Sequence, residues 1–103
     1  MSGVNRLIAE LLRAANTVER QTPARVARML DDSVEAVCQL RRQTNIIPIP
    51  GKDALVYIRA VAAGADRVPM EEWHHALLHA AEMIRDLSIV LDSGTMVTLV
   101  DPT

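Results

Sequence analysis

Met70-Glu71-Glu72-Trp73-His74-His75-Ala76-Leu77-Leu78-His79-Ala80-Ala81-Glu82-Met83-Ile84-Arg85-Asp86-Leu87-Ser88-Ile89-Val90-Leu91 is the stretch that decides the fold. Within it Met70, Trp73, Leu77, Ala80, Ile84, Leu87 and Leu91 recur at alternating steps of three and four. That is the a/d seam of a helix built to pack on another helix. Burying one large apolar side chain is worth about 1.5–3 kcal/mol, so leaving the six large members wet forfeits roughly 9–18 kcal/mol. A whole domain's net stability is of that size. Something must cover the stripe, either the rest of the chain or a second copy of it.

Working outward, 103 residues suit one helical domain spanning 1–103. Half of them are hydrophobic and 23% are charged, a globular composition rather than a disordered one. Phe is absent, and Trp73 and Tyr57 are the sole representatives of their types. The core is therefore aliphatic and thin per contact, which favours helix-on-helix packing and makes subunit pairing an easy source of further burial. Cys38 is the lone cysteine, so no internal disulfide forms and a reducing, cytoplasmic setting is expected. No signal-peptide pattern and no apolar run of membrane-spanning length is read in the sequence.

The net charge of −2 is unevenly spread. Residues 20–67 hold eight Lys/Arg against five acids, a surplus of +3, whereas residues 68–103 hold only Arg85 against six acids, a deficit of −5. A surplus of +3 is a weak footprint beside that of a strong nucleic-acid binder.

Upstream of the seam, Val4, Leu7, Leu11, Ala14 and Val18 form a second stripe that predicts a helix from about Asn5 to Arg20. Thr22-Pro23 reads as an N-cap followed by proline in the first helical position. Val26, Leu30, Ser33, Val37 and Leu40 then keep helical period to about Gln43, with Asp31-Asp32-Ser33 as the place where that helix would break. Asn45-Ile46-Ile47-Pro48-Ile49-Pro50-Gly51 cannot be helical, because each proline drives its predecessor into extended geometry. Asp53 caps a short helix, Ala54 to Ala63, stopped by Gly64; the alternative makes Leu55-Val56-Tyr57-Ile58 a strand. Pro69 opens the seam helix, which ends near Asp92-Ser93-Gly94. Met96-Val97-Thr98-Leu99-Val100 is β-prone, and as a short C-terminal strand it would need a partner.

The segment Thr22 to Arg42 resembles a helix-turn-helix: Val26-Ala27 would pack the first helix, Leu30 would close it, and Ser33 would cap a second helix anchored by Val37 and Leu40. The resemblance implies a dimeric DNA-binding transcription regulator with Arg25, Arg28, Gln39, Arg41 and Arg42 against the nucleic acid. The segment departs from that pattern. Asp31 stands where the turn commonly has Gly, Asp32 replaces an apolar seal, and Asp31, Asp32 and Glu35 repel phosphate. The other reading of the same residues is one packing helix with a solvated arginine side.

His75 and His79 lie one helical turn apart, a spacing that can ligate zinc. Glu71 to His74 and Glu72 to His75 have the Glu-x-x-His spacing of di-iron bundles, but facing glutamates would have to come from a dimer. The activating glutamate of zinc hydrolases is missing from His-His-Ala-Leu-Leu-His, so the histidines read as a polar helix face. Cys38, with Val34, Gln39, Leu40 and Arg41 among its helical neighbours, reads as a half-buried structural thiol. No Gly-rich phosphate loop, serine elbow or paired-cysteine motif is present.

These readings converge on an all-α chain of three or four helices, with a long C-terminal helix pairing two copies into a homodimer. The expected role is that of a small, non-enzymatic regulator without metal or cofactor that docks on a larger protein. Small bacterial anti-activators act on transcription regulators in this way, an analogy of size and helix layout. Met70, Trp73, Leu77, Ile84, Leu87 and Leu91 are the expected partner or dimer interface.

Overall fold

The computed structural model describes residues 2–45 and 53–93. They form four α-helices: α1 (Ser2–Ala15), α2 (Pro23–Thr44), α3 (Ala54–Ala63) and α4 (Met70–Ser93), with single 3-10 turns at Val18–Arg20 and Ala65–Arg67. Among the described residues there is no strand. The apolar stretch after Asn45 and the β-prone Met96–Val100 both lie outside the described residues.

Each helix starts and stops for a local reason. Thr22 is extended and its side chain accepts the Arg25 backbone N–H, while Pro23 fills the first turn, where a missing donor costs nothing. Asn45 ends α2 in the left-handed region, φ 61°, the conformation Asn tolerates best after Gly. Asp53 caps α3 through the Leu55 N–H, which fixes Leu55–Ile58 as helix rather than strand. The first helix is shorter than its stripe predicts, ending at Ala15 rather than Arg20. Thr17 Oγ1 donates to Arg13 O at 2.8 Å, and Thr17 N turns to Ala14 O, so the last turn tightens and the ladder stops.

No turn forms in α2. Asp31, Asp32 and Ser33 sit inside one continuous helix of 22 residues. Ser33, the expected cap of a second helix, is fully buried and donates its hydroxyl to Met29 O at 2.8 Å. That i−4 bond satisfies the hydroxyl within the ladder and removes its reason to break it. The two-helix unit of a helix-turn-helix is therefore absent from 22–42.

α4 is the organising element, packed against α1, α2 and α3 together. Trp73, Leu77, Ala80, Ile84 and Leu87 are all buried within the chain, with Leu77, Ala80 and Ile84 at 0% exposure. They meet Leu11 of α1, Val26, Leu30, Val37 and Leu40 of α2, and Ile58 and Val61 of α3 in one core. The seam is thus covered by its own chain, and Trp73, Leu77, Ile84 and Leu87 are not available to a partner in this conformation. Only Met70 at 48% and Leu91 at 39% remain open among the six expected interface residues.

Candidate functional site

α1 and α2 both pack broadly on α4 but barely on each other. Their splay leaves a cleft of about 580 Å³, closed at one end by the link through Thr17 and Gln21. From α1 come Glu10, Arg13 and Ala14; from α2 come Arg25, Arg28, Met29 and Asp32. The heptad-like spacing of α2 turns Val26, Leu30 and Ser33 into the core. The same spacing necessarily turns Arg25, Arg28 and Asp32 outward, along the cleft.

The charges in this cleft are uncommitted. Among the described residues the ion pairs are Arg41–Asp53 and a loose, exposed Arg85–Asp86 contact at 3.9 Å. The guanidinium groups of Arg13, Arg25 and Arg28 therefore have no carboxylate partner, although Glu10 and Asp32 share the cleft with them. At its closed end Gln21 Nε2 donates to Thr17 Oγ1 at 3.3 Å, and Gln21 Oε1 is buried without a donor. A buried acceptor left unpaired costs on the order of 1–3 kcal/mol, which a ligand N–H or O–H would recover.

The five residues expected at DNA are divided by the fold. Arg25 and Arg28 line the cleft, and Gln39 and Arg42 are exposed farther along α2. Arg41 is spent on a bidentate bridge to Asp53, 2.7 and 3.0 Å, that ties α2 to the cap of α3. Arg13, Glu10 and Gln21 were not picked out by the sequence, and Asp32 was read there only as a departure from a helix-turn-helix. Arg13 shows there only as one charge on the polar side of a stripe, and nothing local announces Gln21.

The histidine face of α4 is engaged in contacts between helices. His74 Nδ1 lies 2.7 Å from Ala15 O, which requires the proton on that nitrogen and ties the end of α1 to the first turns of α4. His79 packs edge-on against Tyr57, ring centroids 6.0 Å apart. Glu72 accepts the Tyr57 hydroxyl at 2.5 Å. Among the described residues no three His, Cys, Asp or Glu side chains gather into a cluster that could hold a metal ion. Cys38 is a free, half-buried thiol.

Burial, followed by the adjacent Glu72 carboxylate, pushes the Tyr57 phenol up to about 12. Because the folded value exceeds the ordinary 10, this interaction stabilises the fold fully below pH 10 and is lost as pH climbs toward 12. Tyr57 is the only tyrosine, so an ultraviolet titration reads it alone. The native protein should form tyrosinate near pH 12, and Glu72→Gln should lower the midpoint while burial keeps it above 10. A wild-type midpoint at 10 would show that Tyr57 is neither buried nor held by Glu72 in solution.

Among the described residues no helix is long and apolar enough to cross a membrane. No protein-family model, no curated protein and no solved structure matches this chain.

Proposed function

We propose that this chain is a small, non-enzymatic regulatory protein that works by docking on a larger protein, and that the docking site is the α1–α2 cleft. The observation that carries the reading is the pairing of shape with unspent charge. A groove between two splayed helices is the shape that accepts a helical or extended peptide segment. Its arginines are held on rigid helices, and they lose no existing ion pair when a carboxylate arrives. Glu10 and Asp32 interrupt the positive surface, which favours a protein segment of mixed charge over a continuous run of phosphates.

The test is capture from the native host with wild-type chain and with the Arg25→Glu, Arg28→Glu variant, far-UV circular dichroism confirming equal helicity. A protein retained in stoichiometric amount by the wild type and lost by the variant is expected. Equal retention by both would remove the cleft from the mechanism. Salt-sensitive binding of mixed-sequence duplex DNA by the wild type alone would replace the protein partner with nucleic acid.

A further inference from the structure

We infer that the cleft also takes the exposed face of α4 from a second copy of this chain, so that the protein self-associates by seating an acidic helix in an arginine-lined groove. The inference rests on the cleft being a docking site and names one occupant for it. Two surfaces of opposite sign are available. One is the cleft, with three arginines against two acids. The other is the outer face of α4, where Glu71, Glu82, Asp86 and Asp92 are exposed beside a single cation, Arg85.

The two surfaces match in spacing and in sign. Glu82 and Asp86 are one helical turn apart, as are Arg25 and Arg28, and side chains so spaced stand about 5–6 Å apart at Cβ on either helix. Arg13, on the opposite wall, is placed to reach a carboxylate from the other side. The exception on each surface answers the exception on the other: Arg85 interrupts the acidic face, and Glu10 and Asp32 interrupt the basic groove. Ile89, the most exposed large apolar residue of α4 at 57%, continues this face one turn beyond Arg85 and Asp86. In the cleft it would meet Met29 and Ala14, the apolar lining. A reciprocal exchange, each copy offering its groove and its helix, would close the assembly at a dimer.

Sedimentation equilibrium of the full chain tests this. At about 10 mM salt, where charges are felt over ~30 Å, a species of twice the 11.3 kDa chain mass is expected. At about 1 M salt, with screening at ~3 Å, the dissociation constant should rise about tenfold or more. Arg25→Glu, Arg28→Glu and, separately, Glu82→Arg, Asp86→Arg should each yield monomer at low salt with unchanged helicity. Combining all four reversals in one chain, or mixing the two double variants, should restore the dimer. A monomer at both salts overturns the inference, and so does a dimer that survives either reversal. The salt comparison on wild-type chain needs no variant to fold. A monomer that still loses its captured partner on Arg25→Glu, Arg28→Glu would sink self-docking while leaving the proposed function standing.

Discussion

Ile84→Asp is expected to abolish the cooperative thermal transition of this protein at neutral pH. Ile84 is at 0% exposure on the α4 face that α1, α2 and α3 share. The substitution forfeits about 1.5–3 kcal/mol of apolar burial. It also asks an unpaired carboxylate to leave water at several kcal/mol more. The sum competes with the whole of a domain's usual 5–15 kcal/mol. Val56→Asp, on α3, is the contrast. Val56 is 68% exposed, and surface changes of this kind stay within about 0.5 kcal/mol. Circular dichroism melts at 222 nm compare the two. Equal melting of wild type and Ile84→Asp would place the seam outside the core.

Asp53→Ala should be the most damaging change at a charged position. One carboxylate there accepts two bonds from Arg41 and one from the Leu55 backbone, so it both clamps α2 to α3 and caps α3. A lost cap costs about 1 kcal/mol, and a charge-assisted bond of this type is worth about 1.5–3 kcal/mol. For a domain of this length the melting temperature should fall on the order of 10 °C or more. Arg41→Lys should not rescue the clamp, because an ammonium cannot offer the parallel fork. The pair also sets an acid limit. The Arg41 hydrogen bonds hold the Asp53 carboxyl below its ordinary 3.8, aided by the Leu55 N–H and by the charges of Arg41 and Arg59, against the opposing effect of burial. A depressed folded value means the stabilisation is complete above about pH 4 and disappears as pH falls through the folded value. Urea unfolding between pH 2 and 5 should show that loss in the wild type and a flatter profile in Asp53→Ala. Parallel profiles would remove the clamp from the stability of the fold.

What could be read from the sequence was what neighbours along the chain decide. Thr22-Pro23, Asp53 and the a/d recurrence of α4 each act within a turn or two, and the structure places them where their spacing predicts. The seam announced that it must be covered but not by what, since periodicity is the same whether the cover is another subunit or three helices of the same chain. Ser33 misled for the same reason. As a cap candidate it is a local signal, and its bond to Met29 O becomes the better choice only once the core closes over it. The ties made at a distance, Arg41 to Asp53, Tyr57 to Glu72 and Trp73 Nε1 to Ala65 O at 2.9 Å, leave no trace in spacing. Nor does the cleft. It exists because α1 and α2 choose α4 over each other, a fact of three-body packing that no stripe encodes.

The placement of the two large rings has a practical consequence. Trp73 is buried against the Ala65 carbonyl, and Tyr57 stands between Glu72 and His79. Every native chromophore of the near ultraviolet therefore watches one corner, where α3 turns back into α4. Intrinsic emission will follow that corner opening and stay silent while anything docks between α1 and α2. A dye on an Asp32→Cys, Cys38→Ser chain would give that groove a signal of its own, since Asp32 lines it and Cys38 does not.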